Sequence, residues 1–327
     1  MISIQELLAG MRLGDSTGFQ HLTLFPIFRL KPARPEPGYL LLEEAMKRGL
    51  ARVTEVSHGG SVPELHFENS APLPVLLLDG EELVGAKQNR VLNLSILAPA
   101  RSAIKIPVSC VEAGRWQNVS AQFRAADAVQ YASAREARAR QVSKSIREEG
   151  HRRSDQNQVW EDIALKAGRL RTTSGTGAMR AMFEQHRDSV EHYLRAFGWA
   201  PGQTGVLYCI GGRRWGIDLF DHAASFERVF PRLLRGFALD AIDTEPSTVR
   251  PVSSDRLGSF VRAVVKAPAF AVPAVGLGRD VRIAGAKACG GALWAEDRYV
   301  HLYAFSSQAE GSGQAGSGIA RPSRRRG

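Results

Sequence analysis

GVLYCIGGRRWGIDLF, residues 205–220, places two apolar runs on either side of a Gly-Gly-Arg-Arg turn. This pattern predicts two antiparallel strands joined by a tight hairpin, because paired glycines suit the backbone of a short hairpin turn. A helix is predicted next, over residues 223–242. The hairpin with its adjoining helix indicates an α+β fold in which most strands pair in an antiparallel manner.

Toward the amino terminus, the first third of the chain alternates short apolar runs with turn residues. We predict strands at residues 21–25, 51–56, 75–78 and 103–108, and one helix at residues 39–48 that ends at Gly49. Prolines at 26, 32, 35, 37, 63, 72, 74, 99 and 107 would break longer helices. The segment therefore favours many short strands over a repeated strand–helix–strand pattern.

The chain changes character after Phe123, where β-branched runs give way to helical spacing. Helices are predicted at residues 127–149, 158–170, 179–197 and 255–265, and closing strands at 280–283 and 300–305. We predict one α+β domain over residues 1–306, β-rich in 1–123, helical in 124–200 and α+β in 201–306. Residues 307–327 are predicted to be a disordered basic tail, because Gly, Ser, Ala and Arg cannot bury a core.

Composition limits the cellular setting of the protein. Its 327 residues are 44% hydrophobic and 23% charged, which suits a globular core and excludes disorder throughout. The first ten residues contain no export signal, and no stretch reaches the roughly 18 apolar residues of a membrane helix. We therefore expect a soluble protein, cytoplasmic localisation and no membrane partner. Three separated cysteines lack metal or redox spacing, and the residues identify no cofactor.

The formal charge of +10 raises the question of nucleic acid as a partner. Residues 124–153 hold eight Lys or Arg against four Asp or Glu, and residues 307–327 hold four Arg against one Glu. Together they account for most of the excess, so the basicity is local and forms no continuous groove. Basic and aromatic residues are not interleaved either. The sequence therefore argues against a nucleic-acid partner.

The densest polar segment is DGEELVGAKQNR, residues 79–90, which directly follows a predicted strand. Its glycines permit a tight turn close to a ligand. Two carboxylates are candidate catalytic acids or bases, Glu81 and Glu82, and only one of these neighbours can face a given site. Four side chains are candidates for holding a phosphate or orienting a sugar or base: Lys87, Gln88, Asn89 and Arg90. The alternative is a solvated hairpin loop with interleaved charges.

A second polar segment, IPVSCVEAGRW at residues 106–116, follows another apolar strand. Alternation places Cys110 and Glu112 on the same strand face. Cys110 is a candidate nucleophile or, alternatively, a small buried hydrophobe, and Glu112 would support catalysis from the neighbouring strand. Arg115 is a further candidate ligand-binding group. Trp116 could stack on a nucleobase or pack as a core or edge aromatic.

Two further motifs carry weaker signals. TTSGTG at residues 172–177 precedes a predicted helix, so Ser174 and Thr176 could bind phosphate there or act as plain helix caps. Asp218, Asp221 and His222 are close enough in sequence to suggest metal ligands. Helix capping is the commoner role at that spacing, so we predict no metal site.

Three segments together, residues 79–90, 106–112 and 216–220, resemble a prokaryotic family named for its association with ADP-ribosylglycohydrolase and rhodanese-phosphatase-superfamily proteins. The similarity runs from about residue 4 to residue 305 and includes SGTGA at 174–178 and LLRGFALDA at 233–241. Coverage of that length implies one domain. The resemblance implies a role near ADP-ribose or related nucleotide metabolism, and it carries no catalytic assignment.

Two functional hypotheses remain open from the sequence. The first is an enzyme, such as a hydrolase, that acts on an ADP-ribose-like or other phosphorylated nucleotide ligand through the 79–90 segment. The second is a noncatalytic binding or adaptor module that uses the same segment to recognise this ligand or a protein partner.

Overall fold

The structure is a computed structural model that describes residues 1–30, 36–57 and 59–307. Apart from Ser307, the predicted basic tail lies outside the described residues. The helices within these ranges are α1 (Ile4–Ala9), α2 (Leu42–Lys47), α3 (Ala132–Glu149), α4 (Gln156–Arg169), α5 (Arg180–Gln185), α6 (Arg187–Ala196), α7 (Ala223–Ile242) and α8 (Ser254–Lys266). In the described part of the chain, none of these helices has the length and apolar character needed to cross a membrane.

The strands form three sheets. They are β1 (Met11–Leu13), β2 (Thr17–Phe19), β3 (Leu22–Arg29), β4 (Leu40–Leu41), β5 (Ala51–Glu55), β6 (Glu64–Asn69), β7 (Val75–Leu77), β8 (Glu81–Gly85), β9 (Arg90–Leu92), β10 (Ile96–Ala98), β11 (Ser102–Cys110), β12 (Phe123–Val129), β13 (Gln203–Ile210), β14 (Arg214–Phe220), β15 (Ala269–Pro273), β16 (Arg279–Ala284), β17 (Ala288–Ala295) and β18 (Arg298–Ser306).

The large sheet has the order β1-β3-β13-β14-β18-β17-β16-β15, with β2 also paired to β3. A six-stranded sheet has the order β12-β8-β9-β11-β6-β5, and a small sheet has the order β10-β7-β4. Among these named strands, only β4 and β7 pair in parallel. The mixture of helices with mainly antiparallel strands confirms the predicted α+β class.

The hairpin predicted from residues 205–220 is present as β13 and β14. Gly211 and Gly212 form its turn with φ angles of +59° and +66°, a conformation that glycine adopts without strain. The predicted helix that follows is α7, which contacts β13 in the large sheet and β12 in the six-stranded sheet. Phe237 of α7 stacks on Tyr208 with ring centroids 4.0 Å apart. Helix α7 is thus a shared support for both sheets.

The predicted helical segment begins later than expected. Residues 123–129 form strand β12, which pairs with β8, and the helix predicted from residue 127 begins at Ala132. The alanines of this segment favour a helix locally, but pairing with β8 overrides that preference. The helix predicted over residues 179–197 is divided into α5 and α6 at His186, whose ring nitrogen Nε2 lies 3.0 Å from the carbonyl oxygen of Leu170.

A buried ionic network joins α3 to two sheets. Arg135 of α3 donates from Nε to Asp79 (2.9 Å) and from Nη2 to Asp218 of β14 (2.6 Å). Arg138 donates from Nη2 to the other oxygen of Asp79 at 3.0 Å. Each of these four side chains is at most 1% exposed. Helix α3 therefore inserts two arginines into the core, and the paired carboxylates compensate their charge.

Candidate functional site

The 79–90 segment contributes to two opposite faces of the six-stranded sheet. Arg90 is paired in register with Leu83 of β8 and with Cys110 of β11, whereas Glu82 is paired with Val91. Residues directly opposite each other in antiparallel strands point to the same face, and neighbours along a strand alternate. Arg90 and Cys110 therefore face one way, and Glu82 faces the other.

Arg90 is fully buried and only partly hydrogen-bonded. Its Nη1 donates to Gln88 Oε1 at 3.1 Å, while its Nε and Nη2 have no hydrogen-bond partner among the described residues. Burial lowers the pKa of the Arg90 guanidinium below its ordinary value. The ring of Trp116 lies over it, with the ring centroid 5.6 Å from Arg90 Cζ. A buried cation with unpaired donors is costly, so this position is suited to an anion.

A cleft of about 750 Å³ lies beside the Arg90 loop; we call it the Arg90 cleft. It is lined by Thr54, Glu55, Ser57, Ala86, Lys87, Asn118, Val119, Ser120 and Ala121. Lys87 Nζ donates to the carbonyl oxygen of Gly59 at 2.9 Å and lies 5.3 Å from the centroid of Trp116. Trp116 itself is 45% exposed. Lys87 of the cleft wall and the buried Arg90 therefore both lie beside the half-exposed ring of Trp116.

Glu55 brings a carboxylate to the same place. Its Oε1 accepts a hydrogen bond from the backbone N–H of Lys87 at 3.3 Å, and its Oε2 is buried with no hydrogen-bond partner among the described residues. A Cβ atom on Gly60 would lie 3.2 Å from Lys87 Cδ, 3.3 Å from Glu55 Oε2 and 3.3 Å from Trp116 Cζ2. Glu55, Lys87 and Trp116 thus converge around Gly60, where only a hydrogen atom fits comfortably.

The loop that carries Lys87 and Arg90 is held by Glu112 and Arg115, which we call the Glu112 clamp. Glu112 Oε2 accepts hydrogen bonds from Arg115 Nη2 (2.6 Å) and the backbone N–H of Asn89 (3.1 Å). Arg115 also donates from Nη1 to the carbonyl oxygen of Ala86 at 2.6 Å and from Nη2 to Asn89 Oδ1 at 3.2 Å. Together these contacts fix both ends of the loop between β8 and β9.

Glu112 also reaches the segment before α5. Its Oε1 accepts a hydrogen bond from Thr176 Oγ1 at 2.8 Å, so both of its oxygens are occupied. Burial alone would raise the pKa of Glu112, but the hydrogen bonds from Arg115, Thr176 and Asn89 outweigh it and hold the pKa below its ordinary value. An ionised carboxylate with this many donors is suited to positioning the loop rather than to transferring protons.

Cys110 is fully buried on the Arg90 face. Burial raises the pKa of its thiol to about 11, so the thiolate that a nucleophile requires is scarce near neutral pH. Gln156 holds the backbone of this residue through two hydrogen bonds of 2.8 Å, one to its N–H and one to its carbonyl oxygen. These features favour the buried-hydrophobe interpretation of Cys110 over the nucleophile interpretation.

The two candidate acids of β8 have different surroundings. Glu81 accepts a hydrogen bond from the N–H of Leu78 (3.1 Å) through Oε2, and its Oε1 lies 2.6 Å from Arg232 Nη1 of α7. Glu82 has no hydrogen-bond partner within the described ranges for either oxygen, and Arg180 Nη1 lies 3.7 Å away. Burial raises the pKa of Glu82 to about 7. Glu81 is thus paired to the core, whereas Glu82 is a buried acid on the face opposite Arg90 that has Arg180 at ion-pair distance but no hydrogen bond among the described residues.

The 172–177 motif is used internally. Ser174 Oγ accepts a hydrogen bond from the backbone N–H of Ala178 at 3.0 Å, and Thr176 bonds Glu112 as described. The Ser174 bond closes a turn before α5, whose N-cap is Met179 without a side-chain cap and which is only six residues long, so the capping alternative for Ser174 is wrong. Among the residues that the structure describes, no group of three or more His, Cys, Asp or Glu side chains is arranged to hold a metal ion.

Sequence reasoning did not identify Glu55 or the cleft wall formed by residues 118–121. Glu55 ends strand β5, about thirty positions before Lys87, and no local pattern connects the two. The only available signal was its place at the end of a predicted strand beside a turn. Binding residues are often found in such loops.

A comparison with protein-family models identifies the chain over most of its length. Residues 10–305 match the model described as "ARG and Rhodanese-Phosphatase-superfamily-associated Protein domain". No curated protein and no solved structure matches the chain. The matched region includes all the residues that line the Arg90 cleft and both residues of the Glu112 clamp. It covers far more than half of the sequence and confirms the resemblance seen in its motifs. The chain therefore belongs to the ARG and Rhodanese-Phosphatase-superfamily-associated Protein domain family.

Proposed function

We propose that this protein binds a phosphorylated, nucleotide-like ligand of the ADP-ribose class in the Arg90 cleft. The observation that carries the proposal is the buried Arg90 guanidinium, whose Nε and Nη2 lack partners in the described residues beside Lys87 and Trp116. Arginine holds phosphate oxygens through its planar fork, and lysine adds a mobile positive charge. The family description names ARG, which we relate to ADP-ribosylglycohydrolase, and this favours an ADP-ribose-like anion.

The size and lining of the cleft suit such a ligand. Its volume of about 750 Å³ lies within the range of about 300–1,000 Å³ that small-molecule sites occupy. Because Trp116 lies over Arg90 and is 45% exposed, its ring must shift to admit an anion to the guanidinium. The shifted ring can then stack on the base of the ligand. We therefore expect tryptophan fluorescence to change on binding, in a way that Trp116→Phe removes.

The binding proposal is tested with ADP-ribose and the variant Lys87→Ala. ADP-ribose at 100 times its dissociation constant is expected to raise the free energy of unfolding of the wild type by about 2.7 kcal/mol. Lys87→Ala is expected to weaken binding about tenfold, the size of one lost charge-assisted hydrogen bond. Titration calorimetry and thermal unfolding measure both effects.

The matched control for this experiment is Lys105→Ala. Lys105 lies on β11, is exposed, and among the described residues forms only a 3.9 Å ion pair with Glu64, so the control should bind ADP-ribose as the wild type does. A wild type that ADP-ribose, AMP and pyrophosphate all fail to stabilise would overturn the proposal. Equal loss of affinity in both lysine variants would show that the effect is not specific to the cleft.

A second candidate function is hydrolysis of the bound ligand. It is favoured by Glu55, whose Oε2 is unpartnered within the described residues at the wall of the cleft and could accept a proton from an attacking water. Glu55→Gln should then reduce turnover of ADP-ribose by about 10²–10⁴-fold and leave its dissociation constant within about twofold. Phosphorus NMR of the reaction mixture follows the product.

The outcome of this assay separates the two functional classes. A fully active Glu55→Gln protein would remove Glu55 as the catalytic base. Binding by the wild type without turnover would instead identify a noncatalytic binding or adaptor module, and the search would move to its protein partner.

A further inference from the structure

Glu82 is the least satisfied acidic side chain near the site. It is fully buried, and neither carboxylate oxygen has a hydrogen-bond partner among the described residues. The charged groups that act on it come from the two elements packed on this face: Arg180 and Glu184 of α5, and Asp127 and Arg124 of β12. Arg235 of α7 acts in turn on Asp127. The interactions of a buried carboxyl group with these charged neighbours should change strongly when it ionises.

Arg180 is shared among three carboxyl groups but bonds only two of them. Its Nε donates to Glu184 at 2.9 Å and its Nη1 donates to Asp127 at 3.2 Å, whereas Glu82 lies at 3.7 Å. Arg180 is therefore within ion-pair distance of Glu82 but forms its hydrogen bonds with the other two carboxylates. An ionised Glu82 would attract Arg180 strongly, because Glu82 is fully buried and its charge is poorly screened.

Arg180 is mechanically connected to the Arg90 cleft. It is the first residue of α5, and the preceding Met179 donates from its backbone N–H to the carbonyl oxygen of Val111 at 2.8 Å. Three residues before Met179, Thr176 Oγ1 donates to Glu112 and the Thr176 carbonyl oxygen accepts from the N–H of Gly114 at 2.8 Å. The segment that leads into Arg180 is therefore tied by three hydrogen bonds to the stretch that contains the Glu112 clamp, which holds the loop of Lys87 and Arg90.

We propose that protonation of Glu82 regulates the affinity of the Arg90 cleft for its anionic ligand. The neutral carboxyl group leaves Arg180 with Asp127 and keeps the Glu112 clamp in place. The ionised carboxylate draws Arg180 toward itself and loosens the clamp, and it adds a negative charge on the opposite face of the same strands as Arg90. Both effects weaken anion binding. The inference rests on the proposed function, because it concerns the regulation of that site.

The direction of the pH dependence follows from the geometry. Burial raises the pKa of Glu82 to about 7, so the carboxyl group changes its charge in the neutral range. Affinity is high below this pH and falls as the pH rises through it. By linkage, ligand binding must favour the protonated form and take up protons from the buffer at pH 7.5.

The test is titration calorimetry with ADP-ribose at pH 6, 7 and 8, in buffers of different ionisation enthalpy. The diphosphate of ADP-ribose does not titrate in this range, so it adds no slope of its own. For the wild type, the dissociation constant is expected to rise about tenfold from pH 6 to pH 8, a coupling of ordinary size. Glu82→Gln should keep the tight pH 6 affinity throughout and take up fewer protons. Exposed Glu227→Gln is the matched control and should retain the wild-type slope.

A second variant tests the same inference in case Glu82→Gln does not fold. Arg180→Gln removes the connection while leaving the carboxyl group, and it should reduce the pH dependence by more than half. A wild-type affinity that is independent of pH, or a Glu82→Gln protein with the wild-type slope, would overturn this inference and leave the proposed function standing. Absence of binding by ADP-ribose, AMP and pyrophosphate at every pH would overturn the proposed function itself and this inference with it.

Discussion

Arg90→Met is expected to lower the affinity for ADP-ribose more than 100-fold and, in the absence of ligand, to raise the free energy of unfolding. The affinity falls because the variant removes the only fully buried cation beside the cleft among the described residues. The stability rises because a buried charge without a paired carboxylate is replaced by an apolar side chain of similar length. Gln88 loses one hydrogen bond, worth about 1 kcal/mol. The expected net gain is about 1–3 kcal/mol.

Urea unfolding measures the expected gain in the free energy of unfolding, and titration calorimetry measures the expected loss of ADP-ribose affinity. Lys105→Met is the control, because it removes an exposed cation from β11 and should change neither quantity by more than about 0.5 kcal/mol. A less stable Arg90→Met protein would show that the guanidinium serves the fold. Undiminished ADP-ribose affinity in this variant would place the ligand elsewhere.

Arg135→Met is expected to have the opposite effect on stability and to destabilise the protein by about 3–5 kcal/mol. Arg135 is as fully buried as Arg90, but it donates to both oxygens of Asp218 and to Asp79. Its removal leaves buried carboxylates without their principal cation. Burial would raise the pKa of Asp218, yet Arg135 and His301 outweigh it and keep that pKa below the ordinary 3.8. The stabilisation by ionised Asp218 is therefore present above pH 3.8 and is lost as the pH falls.

The comparison of urea midpoints at pH 7 checks this prediction. Arg140→Met is the matched control on the same helix, because Arg140 is 38% exposed and pairs only with Glu136 four residues away, an interaction of about 0.5 kcal/mol. A loss in Arg135→Met no larger than that of the control would show that the buried network contributes little to stability. A triple variant that also carries Asp79→Asn and Asp218→Asn should recover part of the loss.

Arg90 and Arg135 are equally buried but differ in their partners. Both are arginines, and the printed sequence around each is rich in charge. The partners that distinguish them are distant in the chain: Arg135 meets Asp218 across 83 positions, whereas Arg90 has no carboxylate at hydrogen-bond distance among the described residues. Such pairings depend on how the sheets and α3 pack, and no local pattern reports them.

The candidate site was only partly predictable for the same reason. The 79–90 and 106–116 segments stand out in the sequence as dense polar segments, because charged residues that directly follow apolar strands are visible there. The sequence does not show which of their side chains lie on which face of the sheet. That depends on the strand register, which pairs Arg90 with Cys110 and Glu82 with Val91. The roles of Glu55 and the Glu112 clamp likewise required the folded chain.

The sequence by itself determined the α+β class, the family, the hairpin at 205–220 and the helix at 223–242. Those features follow from turn geometry and side-chain periodicity, which act over a few neighbouring residues. Only the tertiary structure decided that residues 123–129 form a strand, because pairing with β8 outweighs the helical preference of alanine. It alone also decided which arginine is paired with carboxylates and which has none at hydrogen-bond distance among the described residues, because the free energy of a buried charge depends on partners that folding brings together from distant parts of the chain.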